Sequence, residues 1–131
     1  MFFMHNDFPD LQEKLFRAVY PVSKRPDFWK KNGTLSSAAL KDKNGLSVVR
    51  TGDRQEIDGL EEVKRKFKGH IISLKVKDCN EVKALIRLDN PFNPKNPYHC
   101  EIHGSLTEIE LSDEQCKRLA RKAEIELKRE A

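Results

Sequence analysis

The sequence predicts a single α+β domain, built on a mixed or antiparallel sheet of about five strands with two or three flanking helices. Three observations predict this class: short apolar runs with a period of two, an Asn-Gly turn between two strand-like runs, and a helical segment near the end that opens with a capping box. The length of 131 residues suits one domain, and 37% hydrophobic residues can supply its core.

Several segments have the profile of short strands. "KLFRAVYP" is an apolar and aromatic run that ends at Pro21, "HIISLKVKD" alternates apolar with polar residues, and "ALIRLDN" and "YHCEIH" are shorter runs of the same kind. In "TLSSAALKDKNGLSVVR", the dipeptide Asn44-Gly45 favours a type I′ turn. We therefore predict a hairpin whose two strands carry Ser36, Ser37 and Arg50.

Two longer segments predict amphipathic helices. The first, "LEEVKRKFKG", has a single apolar stripe at Leu60, Val63 and Phe67. In the second, Ser112 and Gln115 have capping-box spacing, and an apolar face follows at Cys116, Leu119, Ala120, Ala123 and Leu127. This capped C-terminal helix is predicted to run to Leu127. The intervening segment "PFNPKNP" excludes regular structure and predicts a loop.

Composition predicts a cytoplasmic protein that makes no membrane contact. No window approaches the roughly 18 consecutive apolar residues that a membrane-spanning helix needs. The opening "MFFMHNDFPD" lacks a basic region followed by an apolar run, so no signal peptide is predicted. The three cysteines are odd in number and far apart, which is typical of free thiols in a reducing compartment. No motif predicts a cofactor.

The positive charge is concentrated in the first half of the chain. Nine basic residues face two acidic ones between Lys14 and Arg50, whereas the two signs balance after residue 70. Lys30 and Lys31 follow Phe28 and Trp29, and cations beside aromatic rings suit single-stranded nucleic acid, although the two rings could equally belong to the core. The charge map therefore predicts an anionic, phosphate-bearing partner, with RNA or DNA first.

The segment "NPYHCEIHG" places His99, Glu101 and His103 at every second position. On a strand, the two histidines would lie about 13 Å apart, so both could not bind one metal ion, and no further His-rich segment supplies more ligands. The pattern fits the solvent side of a strand whose other side, at Cys100 and Ile102, enters the core. It also fits a general acid/base or phosphate-binding role for a histidine beside a carboxylate.

Arg17 is a lone charge in an otherwise apolar strand. Because burial of an unpaired guanidinium is costly, Arg17 either reaches water at an edge, is buried with a fixed anionic partner, or contacts a ligand. On the predicted hairpin, the hydroxyls of Ser36, Ser37 and Ser47 and the guanidinium of Arg50 could converge on the same ligand.

Two resemblances follow from these segments. Through "LFRAVYP", "SSAALKDKNGLSV" and "NPYHCEIHG", the chain resembles a widespread group of small bacterial proteins, which implies no mechanism. Separately, Arg17, Ser36-Ser37 and Glu108-Ile109-Glu110 are similar in order to the Arg, Ser, Glu-x-Glu pattern of ADP-ribosyltransferases. That resemblance implies an enzyme that uses NAD, in which Arg17 would contact the NAD phosphates and Glu110 would hold the ribose.

Three functions therefore stay open at the level of sequence. The first is binding of RNA, DNA or another phosphate-bearing ligand, and the second is NAD-dependent ADP-ribosyl transfer. The third is a protein-interaction subunit, such as one partner of a toxin and antitoxin pair or of a phage-defence system, whose basic surface meets an acidic protein.

Overall fold

A computed structural model of the protein describes residues 8–88 and 95–129. The start of the opening segment and the first half of "PFNPKNP" therefore lie outside the described residues. Six strands form one antiparallel sheet, with the bounds β1 (Lys14–Val19), β2 (Leu46–Arg50), β3 (His70–Lys75), β4 (Leu85–Leu88), β5 (His99–His103) and β6 (Glu124–Leu127). Their order across the sheet is β4-β5-β2-β1-β3-β6. The predicted α+β domain is confirmed.

Helices cover parts of both sheet faces: α1 (Glu56–Lys66), α2 (Val76–Glu81) and α3 (Asp113–Lys122). Because successive strand residues point to opposite faces, Leu15 and Phe16 enter different hydrophobic clusters. The larger cluster joins the sheet to α3 and α2, and the smaller one joins it to α1 through Val63. None of the helices in the described residues is long and apolar enough to cross a bilayer.

The capping box of α3 is confirmed, whereas the predicted extension of that helix to Leu127 is wrong. The Ser112 N–H donates to Gln115 Oε1 at 2.8 Å, and the Gln115 N–H donates to Ser112 Oγ at 3.1 Å. The helix ends at Lys122, and the next residues form β6, which pairs with β3. Pairing with β3 supplies hydrogen bonds to a segment whose apolar residues also alternate with a period of two.

The predicted hairpin around Asn44-Gly45 is also corrected. Ser37–Leu40 forms a 3-10 turn instead of a strand, and the Ser36 side chain accepts a hydrogen bond from the Ala38 N–H at its start. Ser and similar residues compete in this way with regular strand pairing, because their side chains bond the nearby backbone. The segment after the Asn-Gly dipeptide does form β2, which lies between β5 and β1.

The sheet is interrupted between its two central strands. β1 pairs with β3 over six residues, but the ladder between β1 and β2 has only two residue pairs, Leu15 with Arg50 and Phe16 with Val49. Both strands continue past that point, so residues 17–19 of β1 and 46–48 of β2 lie side by side without pairing with each other, although each keeps its partner on the other side. We call this gap the Arg17 cleft.

Candidate functional site

The Arg17 side chain occupies the gap in the sheet. Its Nη1 donates to the Ser47 carbonyl oxygen across the gap at 2.8 Å. Its Nε is shielded from solvent and has no hydrogen-bond partner. Within the described part of the chain, no carboxylate lies within ion-pair distance of this guanidinium. Because Nε is shielded, an anion that enters the cleft can be bound only through the Nη donors of Arg17.

The electrostatics of Arg17 agree with this geometry. Burial lowers the pKa of the guanidinium, because a charge is less stable away from water, and the nearby Asp42 carboxylate offsets part of that shift. Arginine stays protonated even so, since its ordinary pKa lies far above neutral pH. A partly buried cation that lacks an ion pair is stabilised by any anion that enters the cleft.

A polar cavity of about 260 Å³ opens beside Arg17. Two further cations line it, Arg25 and Lys41, against one carboxylate, Asp42. Arg25 lies over the Phe28 ring at 3.9 Å and forms an exposed pair with Asp27, and Lys41 Nζ is 2.9 Å from Asp113 Oδ1. Lys41 Nζ also donates to the Leu111 carbonyl oxygen at 2.9 Å. Exposed ion pairs are weak, so an anion in the cavity can compete with Asp27 and Asp113 for these two cations.

A second, apolar cavity of about 100 Å³ also borders Arg17. Its walls come from β1, β2, β5 and α1, with Phe67 at the exposed end of that helix. Ser47 and His99 add the polar groups of this lining. Arg17 therefore borders both a polar and an apolar recess.

On β5, the structure confirms that Cys100 and Ile102 are buried, while His99, Glu101 and His103 are only partly covered. His103 Nε2 lies 2.9 Å from Glu101 Oε1, and the side chain of Glu101 is 30% exposed. Across the ladder, Glu101 pairs with Ser47 and His99 pairs with Val49, so this strand face is continuous with the Arg17 cleft.

Gly45 explains how the turn before β2 passes close to that pair. Its φ is +93°, and a Cβ at this position would lie 2.9 Å from Glu101 Oε1 and 3.0 Å from His103 Nε2. Only glycine therefore lets the backbone approach the pair so closely. No group of three or more His, Cys, Asp or Glu side chains in residues 8–88 and 95–129 could hold a metal ion.

Several predicted site residues lie elsewhere. The Arg50 guanidinium makes two hydrogen bonds of 2.9 Å to the buried Glu13 carboxylate, which also accepts from the Gly52 N–H, so Arg50 is occupied by the protein itself. Ser36 caps a turn and Ser37 lies inside it. Neither of these serines lines either cavity at Arg17.

Lys30 and Lys31 are exposed, but the aromatic rings before them are half-buried and pack against the core. Trp29 Nε1 donates to the Tyr20 carbonyl oxygen at 2.8 Å, and its ring meets His70 edge-on with centroids 5.1 Å apart. Phe28 packs against the larger hydrophobic cluster. This part of the surface therefore offers charge without a free stacking platform from these two rings.

Glu110 lies in the connection between β5 and α3, and not on a strand. Its Oε1 is 3.9 Å from Lys41 Nζ, which in turn lines the polar cavity. Glu110 is thus related to the Arg17 cleft only through that lysine.

No family model, curated protein or solved structure matches this chain. The function therefore has to be inferred from the side chains that the fold brings together.

The sequence singled out Arg17 and the β5 residues and named Ser47 for its hydroxyl, whereas the structure uses the Ser47 backbone carbonyl, and the position of Lys41 beside the polar cavity was missed. The Ser47 backbone carbonyl accepts the hydrogen bond from Arg17. Every residue has such a carbonyl, so the sequence does not show which one will bind Arg17. Lys41 was part of the basic first half, and only the 3-10 turn before it places it beside Arg17.

Proposed function

We propose that this protein binds a phosphate-bearing ligand of nucleotide size in the Arg17 cleft. The observation that carries this proposal is the partly buried Arg17 side chain, which lines a polar cavity and has no carboxylate within ion-pair distance among the described residues. Arginine suits phosphate because its planar donors match two phosphate oxygens at once. Arg25 and Lys41 add charge around the same cavity.

The concave shape favours a small ligand over an extended strand of RNA or DNA. A single-stranded nucleic acid needs a long cationic groove with rings on which bases stack. Here Arg50 is held by Glu13, and Phe28 and Trp29 pack against the core. A cavity of about 260 Å³ with three cations is instead suited to a phosphate or diphosphate group.

Isothermal titration calorimetry with ADP, ADP-ribose, NAD and inorganic pyrophosphate tests this proposal, with short single-stranded RNA and DNA in parallel. Arg17→Met should weaken binding of the preferred phosphate ligand by about tenfold or more, since one charged hydrogen-bonding group is lost. Lys68→Met removes the same charge from an exposed position outside both cavities. The affinity of this control variant for the same ligand should stay within about twofold of the wild type.

Binding of nucleic acid alone, with a steep dependence on salt, would favour the extended partner instead. No binding of any phosphate compound, or equal effects of the two substitutions, would contradict the proposal.

The second candidate function is cleavage of NAD with transfer of ADP-ribose, and the observation that favours it is the apolar cavity on the other side of Arg17. Nicotinamide is a flat ring that suits the walls formed by Val49, Val63 and Phe67. With the diphosphate at Arg17, a carboxylate on the same strand face as His99 would hold the ribose while the C1′–N bond breaks and nicotinamide leaves as the neutral amide. The oxygen of water or of an acceptor hydroxyl then bonds to C1′ and releases its proton to solvent.

Glu101 fits that role better than Glu110. Glu101 is the cross-strand partner of Ser47, whose carbonyl binds Arg17, whereas Glu110 reaches the cleft only through Lys41. Release of nicotinamide from NAD, followed by chromatography, should be lost in Glu101→Gln and kept in Glu110→Gln. The reverse result would return the role to Glu110, and no release by the wild type would remove the enzymatic hypothesis.

A further inference from the structure

The outer edge of β6 is open. β6 is the last strand of the sheet and pairs with β3 on one side only. Within the described ranges no strand pairs with its other side. Every second residue of an edge strand turns its N–H and C=O outward, which makes such an edge a template for another extended chain.

A groove with an apolar floor and a basic rim lies beside this edge. Leu35, Ala120, Ala123 and Ile125 form the floor, and the volume is about 250 Å³. Lys30 and Arg121 stand at the rim, and neither belongs to an ion pair among the described residues. We call this feature, defined by those six residues, the β6 groove.

The strand that borders the groove is held rigidly from behind. Glu126 accepts hydrogen bonds from Lys14 Nζ at 2.9 Å and Ser73 Oγ at 2.7 Å. Just after the strand, the Arg129 guanidinium donates to the carbonyl oxygens of Lys64, Phe67 and Gly69. A strand fixed in this way loses little conformational freedom when a second chain adds to it.

We propose that β6 takes up an extended acidic segment of a partner protein as a seventh strand. Main-chain hydrogen bonds to the open edge would align the segment, its apolar side chains would pack on Ile125 and Leu35, and its carboxylates would meet Lys30 and Arg121. This surface is separate from the Arg17 cleft and does not depend on the ligand proposed there.

A second copy of this chain is a poorer occupant than an acidic segment. The β6 of a second copy carries two carboxylates, but Lys14 Nζ already lies 2.9 Å from Glu126 and Lys75 Nζ lies 3.7 Å from Glu124. Neither carboxylate is therefore free to meet the rim of another copy, whereas Arg121 at the end of α3 would face its own counterpart. Like charges across an interface oppose association, so the rim selects against self-pairing.

Fluorescence anisotropy with a labelled peptide of alternating glutamate and valine tests the proposal on the whole protein, with an alternating lysine and valine peptide as the matched probe. The acidic peptide should bind with a Kd below about 1 mM, more weakly as salt rises, and the basic peptide should not bind. Hydrogen exchange should then slow for amides of β6 on addition of the acidic peptide.

Two double variants locate the interaction. Lys30→Glu with Arg121→Glu reverses the rim and should reduce affinity for the acidic peptide by about tenfold or more. Lys43→Glu with Lys77→Glu makes the same charge change at exposed positions outside the groove, and it should have a much smaller effect.

Three results would overturn the proposal: no binding of the acidic peptide, equal losses in the two double variants, or exchange protection outside β6. A dimer held together through β6, detected by sedimentation and by protection of the same amides without peptide, would also overturn it in favour of self-pairing.

Discussion

Replacement of Arg17 by methionine should make the protein more stable while it weakens ligand binding. The substitution removes a buried Nε–H that has no acceptor, and an unsatisfied buried donor costs about 1 to 3 kcal/mol. It also removes the hydrogen bond from Nη1 to the Ser47 carbonyl, which contributes about 1 kcal/mol. Methionine keeps most of the packing of the side-chain stem, so the free energy of unfolding should rise by about 1 kcal/mol.

Urea denaturation of the wild type, Arg17→Met and Arg17→Lys measures this effect, with ligand titration on the same preparations. Arg17→Lys keeps the charge but loses the planar fork, so it should retain part of the ligand affinity without the gain in stability. A loss of more than about 1 kcal/mol in Arg17→Met would refute the reasoning, because it would show that the fold itself depends on the guanidinium.

Substitutions at four further positions test individual contacts and backbone conformations of the fold. Ser112→Ala should lower the free energy of unfolding by about 1 kcal/mol in urea, and Ser112→Asp should restore most of it, because the N-cap acceptor of α3 returns. By the same assay, Gly69→Ala should lower the free energy of unfolding by well over ~2 kcal/mol and Gly33→Ala by only about 1 to 2 kcal/mol. Both glycines have a positive φ, but a Cβ at Gly69 would lie 2.5 Å from the Val19 carbonyl oxygen, whereas a Cβ at Gly33 would have no atom within 4 Å. Burial alone would raise the pKa of the Glu126 carboxyl, but the hydrogen bonds from Lys14 and Ser73 lower it from the ordinary value of 4.5. The ionised carboxylate therefore adds to the free energy of unfolding above pH 4.5, and this stabilisation is lost as the pH falls through the lowered pKa. Urea midpoints at stepped pH should therefore show the difference between wild type and Glu126→Gln shrinking in acid.

Local signals predicted most of the sheet and the start of α3, because they depend on neighbouring residues. The capping box needs only Ser112 and Gln115, and the alternation of β3 is visible in six residues. The segment from Glu124 to Leu127 fits a helix or a strand by pattern, and its pairing with β3 decides between them. That pairing joins residues more than fifty positions apart, so the local pattern could not show it.

The candidate site was only partly visible for the same reason. Arg17 was conspicuous as a charge in an apolar run, yet the gap around it arises where β2 stops pairing with β1. Arg50 looked equally available in the sequence, and its bidentate partner Glu13 lies 37 positions away. The residue type indicates a capacity to bind an anion, and the fold determines whether that capacity is already used.

The two-pair ladder between β1 and β2 also bears on how the chain acquires its structure during synthesis. On one side of the break lie β1, β3 and β6, and on the other lie β2, β4 and β5. The strands of the two halves are therefore interleaved along the chain. No continuous stretch of the polypeptide contains one half alone, and neither half can form first as an independent unit. Until β6 leaves the ribosome, the free edge of β3, including the buried Ile71 and Ile72, is exposed to other nascent chains.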